Sequence, residues 1–329
     1  MEIVDLNPEA AVDRYAHPCQ NGIKTFAELE KEVFKEPVWI VPGVIPEGAT
    51  ILAAKPKVGK SFMALDIALA ISTGGMVFDQ HTTQQDVLYL SLEDGSRRLH
   101  NRVTAMVASG GWPDNLYYQT SWPSLDDDGI TRLREWLVDH PDVKLVTIDT
   151  LAKMRSRKTS RKTQYELDYH TVEPFKVLCD ELGISIIVIH HSRKAPSEDD
   201  PFDVISGTTG LTAVFDTCLV LRQSHSGNVY LYSRGRDMEE VELVLKHDVT
   251  GNWVYLGRAS SIAKTEERNS ILDAMDADKD YSQAELVLLT GKRQSGLCQL
   301  LNRMVQEREI LRTEQKKYRK KEGGKGSGQ

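Results

Sequence analysis

Three observations predict an α/β fold with a mostly parallel sheet and an antiparallel extension. Short apolar runs alternate with helical periodicities, a Gly-Lys-Ser turn joins the first run to the first helix, and closely spaced strand patterns follow after residue 217. The 329 residues, 40% hydrophobic and 27% charged, hold enough apolar material for one large domain or two modest ones. Lys and Arg number 41 against 48 Asp and Glu, so the formal net charge of -7 excludes a uniformly basic nucleic-acid coat. A polyanionic partner must instead meet local basic patches.

Residues 1–37 read as a polar arm. Residues 50–54, 86–92, 144–148 and 184–189 are dense in Val, Ile and Leu, as strands buried on both faces are. Between them, apolar residues at helical spacing predict three helices: Phe62, Leu65 and Leu69; Leu99, Val103, Met106 and Val107; Ile130, Leu133 and Leu137. Residues 218–221, 229–232, 241–245 and 253–256 form the antiparallel extension, with turns at Ser226-Gly227-Asn228 and Thr250-Gly251-Asn252. The α/β core is thus expected over 38–257 and a linker over 258–268. A small helical, winged-helix-like unit with a basic tail is expected over 269–322, followed by a disordered Gly-rich tail, 323–329. Ser282 and Glu285 have the spacing of a capping box within that unit.

Cys19, Cys179, Cys218 and Cys298 show no CxxC pairing, and no window approaches the length of a membrane span. The N-terminal residues lack the basic-then-apolar order of a signal peptide, so a cytoplasmic protein with no membrane partner is expected.

The sharpest motif is Ala54-Lys-Pro-Lys-Val-Gly59-Lys60-Ser61, between a strand and a helix. It has the form of a P-loop with Ala54 in place of the first Gly. Such a loop turns successive N–H groups inward, places a Lys on the β/γ-phosphates and a hydroxyl on Mg2+. Lys57, Val58, Gly59, Lys60, Ser61 and Phe62 are therefore the candidate residues for ATP, with Ser61 also a metal candidate. The second strand ends Leu90-Ser-Leu-Glu-Asp94, putting Glu93 at the sheet edge as the candidate for deprotonating the attacking water; Asp94 is the weaker candidate. The third ends Val146-Thr-Ile-Asp149-Thr150, the Walker B form, whose carboxylate holds Mg2+. The fourth ends Ile189-His190-His191-Ser192. The two His alternate faces and cannot chelate one metal together. One of them, with His190 as the candidate, is placed to contact a γ-phosphate.

This set, with Ser206-Gly-Thr-Thr-Gly210 and Ser233-Arg-Gly-Arg-Asp237, resembles the RecA-like hexameric ATPases of the DnaB and plasmid RepA helicase type, among AAA family ATPases of phage or mobile-element origin. The resemblance covers about two thirds of the chain. It implies that the core over 38–257 is a RecA-like ATPase domain, with a nucleotide between neighbouring subunits of a hexameric ring, Glu93 as the catalytic glutamate and Asp149 as the Walker B acid. One His of the pair would be the phosphate sensor, and Arg234 and Arg236 finger residues reaching a neighbour's site. Residues i and i+2 of a strand share a face, which would bring both guanidiniums to one place.

Between 153 and 162 lie six basic residues and no acid; among them Arg155, Arg157, Lys158, Arg161 and Lys162 are candidates for phosphate-backbone contact at what the resemblance implies is a pore loop. Lys292 and Arg293, with Gln294 and Gln299, open a helix where a recognition helix would meet DNA; a protein-interaction module with a solubilising tail is the alternative. The expected function is an ATP-driven motor on single-stranded DNA, a replicative helicase of a plasmid, phage or integrated element working with other replication proteins. The alternative is an ATP-gated DNA-binding regulator or loader with slow turnover.

Overall fold

The computed structural model describes residues 24–32, 38–107, 111–155, 163–191, 200–205, 210–224, 227–236, 238–276, 278–313 and 315–321. The chain divides into two compact units, Met1–Val38 and Trp39–Gln329. In the first, the short helix α1 (Phe26–Leu29) opens on a capping box: the Thr25 hydroxyl accepts from the Glu28 N–H, and the Glu28 carboxylate accepts from the Thr25 N–H at 2.6 Å.

The second unit starts with a hairpin, β1 (Trp39–Val41) and β2 (Ile45–Pro46). The chain then alternates through β3 (Ala49–Ala54), α2 (Lys60–Thr73), the two-residue strands β4 (Met76–Val77) and β5 (Gln80–His81), β6 (Asp86–Ser91) and α3 (Ser96–Met106). It continues with β7 (Leu116–Gln119), α4 (Gly129–Asp139), β8 (Val143–Asp149), α5 (Leu151–Met154), α6 (Gln164–Leu182), β9 (Ser185–His191), α7 (Gly210–Val214) and β10 (Thr217–Gln223). A meander closes the sheet: β11 (Val229–Gly235), β12 (Met238–His247) and β13 (Trp253–Arg258).

Nine strands share one sheet in the order β13-β12-β11-β10-β3-β9-β8-β6-β7. The six from β10 to β7 run parallel and the meander pairs antiparallel, as the sequence predicts. The two-residue period of a strand divides β3 between two cores. Leu52 and Ala54 pack with α2, whereas Ile51 and Ala53 join the cluster that holds Phe175 and Leu178 of α6. Burial on both faces is why these strands read as unbroken apolar runs.

Parallel register brings the strand ends that carry chemistry to one edge. Ala54 lies beside His191, and Ser91 beside Asp149. The end of β11 lies at the opposite edge, because β11 runs antiparallel to β10 and pairs Gly235 with Thr217, which is level with Thr50 near the start of β3.

Residues 258–268, expected as a linker, are instead the start of α8 (Ala259–Asp273). The segment contains no Pro and no Gly, and the helix is anchored by the fully buried Ile271. Beyond it come β14 (Asp280–Tyr281), α9 (Gln283–Thr290), α10 (Gln294–Gln306), β15 (Ile310–Arg312) and β16 (Tyr318–Lys320), with the strands in the order β14-β16-β15. The capping box at Ser282 and Glu285 is formed. The basic stretch read as a tail contributes strand β16, pinned by the buried Tyr318. Residues 323–329 lie outside the described residues. Ile271, Tyr281, Leu286, Leu297, Leu301 and Ile310 belong to a third apolar cluster separate from the two that flank the large sheet.

Candidate functional site

The loop after β3 alternates backbone handedness to form a concave run of N–H groups. Lys57 has φ 67° and Gly59 has φ 107°, conformations that turn a chain into an anion-binding nest ahead of α2. Lys60, only 4% exposed, sets Nζ against the carbonyl oxygens of Ala54 at 2.9 Å and Lys55 at 3.0 Å. Burial pulls its pKa down to about 8, against the pull of Asp149 and Glu93. Val58 packs against the core, and the Phe62 ring turns away from the loop, edge-on to His247 with Arg102 over its face at 4.9 Å.

Asp149 is buried at the end of β8. Its Oδ2 lies 3.2 Å from the Tyr89 hydroxyl, which also approaches the Ser61 carbonyl oxygen at 3.3 Å. Its Oδ1 is buried and meets no donor at bonding distance among the described residues. Burial raises the Asp149 pKa, and the hydroxyls of Ser61 and Tyr89 oppose the rise. A buried carboxylate oxygen without a donor beside a serine hydroxyl is a donor set that suits a hard cation. Sequence reasoning misses Tyr89. Only the pairing of β6 with β8 brings it to Asp149.

Glu93 is fastened to the same strand end. The N–H groups of Leu92 and Glu93 both donate to the Asp149 carbonyl, at 2.7 and 3.2 Å, and the Thr150 hydroxyl donates to Glu93 Oε1 at 3.4 Å. Glu93 Oε2 lies 3.2 Å from Nε2 of His191. Its carboxylate stays exposed, whereas Asp94 is buried between Arg98 and Arg102 at 2.7 and 2.6 Å, the structural role of the two acids. The histidine in contact with Glu93 is therefore His191, whereas the sequence points to His190. Alternation along β9 turns His190 to the other face, where burial and Arg155 lower its pKa to about 4.

Arg234 and Arg236 bond different partners. β11 ends at Gly235, so Arg236 lies one residue past the strand, and the charges of both arginines still reach Cys218. Arg234 bonds Asp200 at 2.9 Å and Glu240 at 2.5 Å and stacks over Phe202, while Arg236 bonds the Ala213 carbonyl at 2.6 Å. Both sit at the sheet edge opposite the P-loop. Of the basic run, Arg155 is paired with Asp168 at 2.9 Å; Arg157, Lys158, Arg161 and Lys162 lie outside the described residues. Lys292 is 3.4 Å from Glu267, and Arg293 is the exposed N-cap of α10.

A cleft of about 550 Å3 adjoins the P-loop, lined by Lys55, Pro56, Val58, Arg222, Tyr230 and Tyr232. The two tyrosine rings stack at 6.4 Å. No motif marks this cleft, since it needs β10 and β11 to lie beside β3. No helix among the described residues is long and apolar enough to cross a membrane.

Comparison with solved structures finds similarity to a separately solved ATPase domain, at 17% identity over 75% of this chain and 98% of that one, with a TM-score of 0.49. A DnaB-like replicative helicase described with its interactions with primase is 17% identical, with 63% of this chain and 57% of that chain covered and a TM-score of 0.48. The KaiC-like protein PH0186 of Pyrococcus horikoshii OT3 is 13% identical over 67% of this chain and 98% of that one, TM-score 0.47. No curated protein matches the sequence. The model of the AAA domain matches residues 17–197, more than half of the chain and inclusive of the P-loop, Glu93, Asp149 and both histidines. On that match, the chain belongs to the AAA domain family.

Proposed function

We propose that the chain is an ATP-hydrolysing motor on single-stranded DNA, a replicative helicase of a plasmid, phage or integrated element that works as a hexameric ring. The observation that carries the reading is the fixing of Glu93 and Asp149 around one P-loop through the Asp149 carbonyl. In this reading the N–H nest and Lys60 hold the β- and γ-phosphates, and the tyrosine-lined cleft beside Lys55 and Pro56 takes the base. Ser61 and Asp149 would hold Mg2+, which when bound neutralises phosphate charge. Glu93 accepts a proton from water as the water oxygen bonds the γ-phosphorus and the bridge to ADP breaks. His191, bonded to Glu93 here, is the group placed to register the γ-phosphate.

Arg234 and Arg236 sit at the edge away from their own P-loop, which supports a head-to-tail ring in which they complete a neighbour's site. Their present bonds to Asp200, Glu240 and Ala213 would have to be exchanged for phosphate oxygens on assembly. The basic run from Arg155 is the segment assigned to the DNA backbone.

The test is steady-state ATP hydrolysis by the wild type and Lys60→Ala, with and without single-stranded DNA. Stimulation by DNA that vanishes in the variant is expected. Slow turnover indifferent to DNA would favour the second reading, an ATP-gated regulator or loader, which the compact C-terminal module of α8 to β16 supports.

A further inference from the structure

We infer that the C-terminal module is a second nucleic-acid site, specific for double-stranded DNA, with α10 as the helix that enters the major groove and the β15–β16 hairpin as a clamp on the backbone. The inference goes beyond the motor reading, which concerns single strands in the large domain.

The helix pair has the required form. α9 and α10 are joined by three residues, Gly291, Lys292 and Arg293, and Gly291 has φ 67°, the left-handed turn that ends α9. α10 buries Leu297, Leu301 and Met304 in the third cluster. Its outer face exposes Gln294, Gln299, Asn302, Arg303 and Gln306, and no acid occurs between Arg293 and Gln306. Exposed amides at helical spacing suit adenine edges, which take bidentate bonds from Asn and Gln, and an arginine suits guanine or phosphate.

The hairpin continues the surface. Arg312, Lys316 and Lys317 have no ion pair among the described residues. Residues 291–321 hold ten Lys and Arg against three acids, in a chain of net charge -7. Two of those acids, Glu307 and Glu309, are taken by Arg268 at 2.5 and 2.8 Å; the third, Glu314, lies outside the described residues. This local surplus is the electrostatic complement of a duplex. A helix-borne reader also favours DNA over duplex RNA, whose major groove is too narrow to admit it.

The experiment uses the full chain and a short fluorescein-labelled DNA duplex of mixed sequence, read by anisotropy across a salt series, with an RNA duplex and oligo-dT as competitors. Arg303→Ala with Lys317→Ala should weaken duplex binding about tenfold or more and lower the salt slope by about one per lost phosphate contact, with oligo-dT-stimulated ATP turnover unchanged. Gln299→Ala with Asn302→Ala should flatten the consensus enriched from a random duplex pool. Duplex binding that is absent, indifferent to Arg303 and Lys317, or equally well competed by duplex RNA overturns the inference, and the exposed Leu288 and Leu289 of α9 then mark the module as a protein-binding one. A chain whose turnover ignores single strands but whose duplex affinity follows Arg303 refutes the motor and keeps this site.

Discussion

Replacing Gly59 by Ala should destabilise the fold through a residue almost two hundred positions away. A Cβ at Gly59 would stand 2.7 Å from Cζ2 and 3.3 Å from Cη2 of Trp253, about 1 Å closer than carbon atoms pack at ease. The indole has little room to swing aside. Trp253 is 6% exposed and its ring meets His247 edge-on, while its backbone N–H, donating to Asp66 Oδ2 at 3.1 Å, fixes the main chain that carries the ring. The overlap should cost about 1–3 kcal/mol, and φ of 107° in a residue with a Cβ about 1–3 kcal/mol more. Urea denaturation should therefore register a loss of about 2–6 kcal/mol. Trp253→Phe removes the two offending carbons and leaves the φ strain. The Gly59→Ala, Trp253→Phe double variant should then be more stable than the sum of the singles requires by about 1–3 kcal/mol. Additivity within about 0.5 kcal/mol would refute the contact as the cause.

Three further outcomes follow from the site. Polyphosphate against Lys60 should restore the proton that burial loosens at a pKa of about 8, so ATP binding takes up protons at about pH 8.5 and almost none at about pH 6. Calorimetry in buffers of different ionisation heat reads that uptake, and a pH-independent count rejects the assignment. Glu93→Gln should retain nucleotide binding and lose about 10²–10⁴ in turnover; near-normal hydrolysis would move the base elsewhere. His190, held at about 4 against 6.5 when unfolded, should make stability fall as the pH drops through that window, because only the unfolded chain takes up the proton. Asp66, raised from 3.8 to about 6, acts in the opposite sense over its own window; His190→Asn should abolish the first effect in urea titrations across pH and leave the second.

The sheet is legible because both-face burial writes itself as apolar runs, and the P-loop because its turn needs Gly59 and Lys60 in sequence. α6 escapes a reading by periodicity. Its polar first turn follows the basic run and Pro174 interrupts its interior, although Thr163 and Glu166 announce its start as a capping box. Asp149 and Glu93 can be read from strand ends, but not their tie through a shared carbonyl, nor Tyr89, since sheet order is absent from local pattern. Strand alternation assigns the two arginines a common direction but not their partners, since Asp200 and Ala213 come from segments distant in sequence. The helix in place of a linker shows the same asymmetry: polar composition suggests a connector, while Ala259 and Ile271 are buried.

Trp253 opens β13, and Arg258, the last residue of that strand, is also the N-cap of α8. No loop intervenes. The residue that faces the P-loop glycine and the head of the C-terminal module are thus the two ends of one strand about 17 Å long at strand rise. A bulge between Tyr255 and Gly257, where Gly257 has φ 142°, is the one irregularity in its pairing with β12 among the described residues. The phosphate cradle and the first turn of α8 therefore rest on opposite ends of the same edge strand, and no connecting loop separates the wall of one from the root of the other.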